Sequence, residues 1–98
     1  MRQRRPALVL AIGTLDAHGL LWVLMITSAQ NRRWLTDVPV SALSESGLPA
    51  ASVVRCAKLA TIEARDAQRM GTLTTSNRRQ VASQVYSMLD HLMARKTR

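Results

Sequence analysis

Twelve of the fourteen cationic side chains in this sequence are Arg, against six Asp plus Glu, and the net charge is +8. A guanidinium stays protonated and can grip a phosphate through two hydrogen bonds. Such a surface suits a polyanion, either nucleic acid or an acidic protein segment. Arg4 and Arg5 stand just before an apolar run over residues 7–12, and Thr27 and Ser28 stand just after a second run over 20–26. If the two runs form a hairpin in which Ile12 faces Leu20, then Pro6 faces Ile26 and Arg5 falls beside Thr27. Cation and hydroxyl would then meet at one strand end, a pairing suited to holding an anion. The plainer reading makes Arg5 an exposed strand terminus, and Thr27 and Ser28 ordinary strand-to-loop residues.

Other chemistries find no support. No Gly-x-Ser-x-Gly, Walker loop or paired-carboxylate motif is present, which removes esterase, nucleotide-hydrolase and glycosidase readings. Cys56 is the sole cysteine, so no internal disulfide is expected. His18 and His91 are isolated and there is no Cys-x-x-Cys, so neither a zinc site nor another cofactor is expected. With only Trp22, Trp34 and Tyr86 to stack bases, an RNA chaperone is disfavoured. The basic start resembles a signal peptide only superficially. Asp16, His18 and two glycines separate the apolar runs, and neither approaches the roughly eighteen residues that would cross a bilayer. A soluble cytoplasmic protein is expected.

The elements that must position these residues follow from apolar periodicity. Both runs are short and nearly continuous, which predicts an antiparallel pair of strands buried on both faces. A further strand is predicted over 34–40, a loop or helical turn over 41–51 around Gly47 and Pro49, and a strand over 52–61. Alternation sets Val53, Arg55, Ala57 and Leu59 on one face of that strand and Val54, Cys56, Lys58 and Ala60 on the other. A last short strand is predicted over 68–73. From Val81 the period changes. Val85, Met88, Leu89 and Leu92 continue one helical face, and Asn77 with Gln80 suits an N-cap, which predicts a helix over about 77–95. Strands first and one amphipathic helix last make a mainly β, α+β domain over residues 1–98: a twisted antiparallel sheet or small barrel with a helix on one side. A chain of this length buries only about 60–65% of its unfolded surface, so a dimer interface would help to stabilise it.

Arg4-Arg5-Pro6-Ala7-Leu8-Val9-Leu10 resembles the Arg-Pro-x-Leu-Val-Leu segment of PemK/MazF toxins. It is followed at compatible spacing by Met25-Ile26-Thr27-Ser28, by Asp37-Val38-Pro39-Val40, and by Gly47-Leu48 leading into residues 52–63. Gly71-Thr72-Leu73 and the closing helix complete the order, and the similarity covers nearly the whole chain. This resemblance implies an SH3-like barrel with a C-terminal helix, a homodimer, and endoribonuclease activity on single-stranded RNA, typically messenger RNA. It also implies an acidic antitoxin whose flexible segment covers the RNA groove. Two departures stand out. The family normally opens with a further strand, Gly-Asp-x-x-x-Val, before the Arg-Pro segment. This sequence starts after it, so an open sheet edge is expected. Ala57 also stands where the PemK branch carries an Asp, two residues beyond the position of Arg55.

Cleavage of the implied kind uses the RNA 2′-hydroxyl as nucleophile, leaves cyclic phosphate and 5′-hydroxyl ends, and needs no metal. Arg5 and Arg55 are expected to stabilise the growing phosphate charge, with Thr27 donating a hydrogen bond to the same group. Arg4, Ser28 and Lys58 are the expected RNA contacts, although alternation sets Lys58 across the strand from Arg55, where a solvated lysine is the plainer reading. No convincing proton-transfer group emerges, because His18 falls in the hairpin loop, His91 on the helix, and Glu63 after the strand. The competing implication is a non-catalytic relative that binds antitoxin or RNA, or a protein-directed toxin like the CcdB gyrase poisons.

Overall fold

The computed structural model describes residues 4–10 and 19–96, apart from the side chains of residues 95 and 96. Four antiparallel strands, β1 (Ala7–Leu10), β2 (Leu20–Ser28), β3 (Asp37–Pro39) and β4 (Ser52–Glu63), form one sheet in the order β1-β2-β4-β3. The sheet curls into half a barrel. A single helical turn, α1 (Leu43–Ser46), precedes β4, and the long helix α2 (Thr75–Lys96) closes the chain.

The register of β1 on β2 follows the sequence expectation. Ala7 faces Met25 and Leu10 faces Trp22, and the Ile26 N–H donates to the Pro6 carbonyl at 3.1 Å, which carries the ladder to the start of β1. The pairing of Ile12 with Leu20 lies outside the described residues, as does His18. Burial on both faces holds only in the middle of β2, where the neighbours Val23 and Leu24 are each 1% exposed. On the edge strand β1 Val9 is 48% exposed, and Trp22, nearer the start of β2, is 38% exposed.

That core is built from Leu24, Ile26, Val38, Val54 and Cys56 of the sheet with Leu48, Leu73 and Val81. Alternation places Ile26, Val54 and Val38 on the same face at adjacent register positions. Thr27, Val53, Pro39, Arg55 and Asp37 therefore share the other. The ladder between β2 and β4 breaks once. Two steps along β2, from Leu24 to Ile26, are matched by five along β4, from Leu59 to Val54. Residues 55–58 thus have no partner on β2, although Arg55 still pairs with Asp37 on β3, and strict alternation fails where Ala57 and Lys58 sit.

No strand forms over 68–73. A 3-10 turn (Ala64–Asp66) ends β4, and the chain beyond it bonds to α1 rather than to a strand edge, the Thr72 N–H donating to the Glu45 carbonyl at 2.8 Å. Here two backbones meet closely. Gly47 has φ of 74° and its N–H caps α1 through the Leu43 carbonyl, and a Cβ at this position would lie 2.2 Å from the Met70 carbonyl oxygen. Gly47→Ala combines left-handed strain with that overlap and is expected to cost more than about 2 kcal/mol, read as a lower urea midpoint at unchanged slope.

The helix starts earlier than residue 77, because Thr74 and not Asn77 is its N-cap. The Asn77 N–H donates to Thr74 Oγ1 at 3.1 Å. The Asn77 side chain is 3% exposed and ties helix to sheet, accepting from the Ser41 N–H at 2.9 Å and donating to the Pro39 carbonyl at 3.1 Å. Of the predicted apolar face, Val81 is buried and Val85 and Met88 pack on the core, whereas Leu89 and Leu92 are both 55% exposed. A helix of this length runs about 33 Å, so its last turns outreach the small sheet.

Candidate nucleic-acid interface

Arg5 is exposed and stands one residue before the Pro6 carbonyl that accepts from the Ile26 N–H, so the ladder continued one step would set it opposite Thr27. Thr27 in turn faces Val53 on β4, two residues from Arg55. Thr27 and Arg55 therefore share the face turned away from the core, and Arg5 precedes β1 at the same end of the sheet.

Each hydroxyl here has a local role. Asn31 Nδ2 donates to Thr27 Oγ1 at 2.6 Å, a bond that uses an acceptor lone pair and leaves the threonine O–H able to donate. Ser28 Oγ accepts from the Gln30 N–H at 3.2 Å and tightens the turn out of β2. Asn31, Arg33, Asp37 and Val53 line a concavity of about 140 Å³ beside this corner.

Arg55 is held differently from Arg5. It is 9% exposed, and its Nε and Nη2 donate to the two carboxylate oxygens of Asp37 at 3.2 and 3.0 Å. Nη2 also donates to the Arg32 carbonyl at 2.7 Å, and the guanidinium lies 4.2 Å from the centre of the Trp34 ring. Asp37 completes the unit by accepting from the Trp34 N–H at 2.9 Å. Burial by itself would raise the Asp37 carboxyl. The Arg55 hydrogen bonds, the Trp34 N–H and the charges of Arg55 and Arg33 together outweigh it and hold the group below the usual carboxylate range. The fork-on-fork pair thus pins the segment 32–37 against β4. Nearby Cys56 is buried, and burial, aided by the Asp37 charge, pushes its thiol up, so it serves as a neutral core residue.

The remaining expected contacts have surroundings of their own. Arg4 Nη1 donates to Gln68 Oε1 at 2.8 Å, and Lys58 is exposed within the bulge beside exposed Ala57. An open trough runs beside β1, with Arg4, Arg5, Arg69 and Arg78 among its lining residues and Glu63 and Asp66 as its acids. Glu63 pairs with Arg65 at 2.6 Å. His91 is exposed on α2. Among the described residues no group of three His, Cys, Asp or Glu side chains could hold a metal ion, and no helix is long and apolar enough to cross a membrane.

Sequence reasoning did not foresee the partner of Arg55. Asp37 was visible within Asp37-Val38-Pro39-Val40, but nothing in that segment fixes its register on β4. Trp34 and the carbonyl of Arg32 were likewise silent, because their roles arise only when the turn folds back over Arg55.

Comparison with known proteins gives a consistent picture. The PemK-like, MazF-like toxins of type II toxin-antitoxin systems match residues 1–89. The Mycobacterium tuberculosis toxin MazF-mt6 superposes with a TM-score of 0.70 at 30% identity, over 88% of this chain and 86% of that one. A second structure, described as an Mtb toxin, gives 0.68 at 30% identity over 85% and 90%. A MazE-MazF structure from Deinococcus radiodurans gives 0.72 at 23% identity over 89% and 86%, a likeness of fold. No curated protein matches by sequence.

Proposed function

Since the chain belongs to the PemK-like, MazF-like toxin family of type II toxin-antitoxin systems, we propose that it is an endoribonuclease toxin that cuts single-stranded RNA, typically messenger RNA, without a metal. The reading rests on the β1–β2 register, which continued one residue beyond the Pro6–Ile26 bond sets exposed Arg5 beside Thr27. The Arg5 guanidinium grips the scissile phosphate and absorbs charge as the 2′-hydroxyl attacks. The Thr27 O–H, left able to donate by the Asn31 bond, orients a phosphate oxygen. Arg55 adds positive potential, but with its charge met by Asp37 its larger part is to hold the Arg32 to Trp34 segment in place. Arg4, Ser28 and Lys58 extend the contacts along the strand, within a surface whose net charge of +8 draws the phosphates in. An acidic antitoxin segment competes for the same basic trough, and the protein works in the cytoplasm as a homodimer.

Purified protein incubated with single-stranded RNA in EDTA is expected to yield fragments ending in 2′,3′-cyclic phosphate and 5′-hydroxyl, read by end-specific labelling. Intact RNA, with folded and dimeric protein confirmed, would sink the proposal and favour a non-catalytic relative. Ala57, which supplies no carboxylate, and the charge-matched Arg55 are the features that would favour that second reading.

A further inference from the structure

Trp34 has an environment that the cleavage chemistry does not use. One side of the indole lies against the Arg55 guanidinium, 4.2 Å from ring centre to Cζ, and its backbone N–H is fixed to Asp37 at 2.9 Å. The residue nevertheless stays 41% exposed, and Arg32, Arg33 and Leu35 around it are exposed too. An aromatic ring clamped from behind and open to solvent in front loses little freedom when something flat stacks on it. The same short segment carries Asn31, which bonds to Thr27, and Arg33, which lines the concavity beside Val53.

We infer that Trp34 is a stacking platform for a nucleobase of the RNA strand held at Thr27, with Arg33 contacting an adjacent phosphate. This inference rests on the ribonuclease reading and gives that site a base subsite. Bases stack on exposed aromatic rings with little regard to sequence, whereas an acidic peptide offers no comparable flat partner. The guanidinium behind the ring adds to the stack as a cation on the far face. Asn31 and Arg33 both line the concavity, so a base entering it meets polar side chains there.

The test uses a Trp22→Phe protein, in which Trp34 is the remaining tryptophan, and a mixed-sequence 2′-O-methyl oligoribonucleotide that cannot be cut. Saturable quenching of Trp34 fluorescence is expected on titration. Trp34→Ala is expected to weaken binding of the same oligonucleotide by about tenfold or more, and Trp34→Phe to recover most of it. If the alanine variant does not fold by circular dichroism, the quenching and the phenylalanine variant decide. Bound oligonucleotide with unchanged Trp34 emission, or affinity altered by less than about twofold in a folded Trp34→Ala protein, overturns the inference and leaves the ribonuclease reading intact. A wild-type protein that neither binds nor cuts RNA removes both. Emission that responds to an acidic peptide and not to the oligonucleotide makes this a protein-docking face and also overturns it.

Discussion

Arg5→Ala is expected to slow RNA cleavage by about two to three orders of magnitude, the usual consequence of removing one preorganised donor from a developing oxyanion. The fold should survive. Arg5 is exposed and lies before the first residue of β1, and the bond that ties the chain to Ile26 here is made by the Pro6 carbonyl. Truncating such a residue typically changes stability by less than about 0.5 kcal/mol. Arg5→Lys should fall between the two, since an ammonium keeps the charge but loses the planar fork. Single-turnover rates with a defined RNA, set beside thermal melts of the three proteins, separate the effects. A rate within about threefold of wild type in the alanine variant would show that the guanidinium does not meet the phosphate in the transition state.

Breaking the Asp37–Arg55 pair should have the opposite signature. Arg55→Ala leaves a carboxylate with a fully buried side chain facing no guanidinium, and Asp37→Ala leaves a guanidinium nearly as buried. Either change is expected to cost about 3–5 kcal/mol, enough to unfold much of a small domain. Growth inhibition would then vanish through loss of the folded protein, so an inactive Arg55→Ala protein says nothing about catalysis unless its fold is checked. Replacing both together with Leu and Met should lose far less than the sum, and a double-mutant cycle in urea measures the difference.

Acid should mimic the break. The Asp37 pKa is lower folded than unfolded, so on acidification the unfolded chain binds this proton first. The contribution is full above the unfolded carboxylate pKa and drains away as pH falls through the folded value. Asp37→Asn should flatten that acid limb of the stability profile.

The hairpin was legible because two apolar runs of similar length leave few registers, and the observed pairing of Ala7 with Met25 is the one that the spacing favours. The strand beginning at Ser52 and the closing helix were legible from their periods. The bulge was not, since nothing in Arg55-Cys56-Ala57-Lys58 announces that alternation pauses there, and the faces assigned to Ala57 and Lys58 went with it. Thr74, Thr75, Ser76 and Asn77 can all cap a helix. What selects Thr74 is the pull on Asn77 from Ser41 and Pro39, remote in sequence. A strand over 68–73 needs an edge to pair with, and in its place the chain found the end of α1. The register that would set Arg5 beside Thr27 can be read from the spacing of the two runs, whereas the environment of Arg55 depends on how a turn folds over it.

The out-of-phase stretch after Arg55, which reaches Lys58, also governs where this chain can change length. An added or deleted residue among 20–24 or 59–63 would turn every following side chain to the wrong side of the ribbon. Within the bulge the ladder is already interrupted, and an indel there would be absorbed as a change of bend. Relatives that differ in length along this strand should therefore gain or lose residues at that elbow, and the angle between the two ends of the sheet should vary with the count.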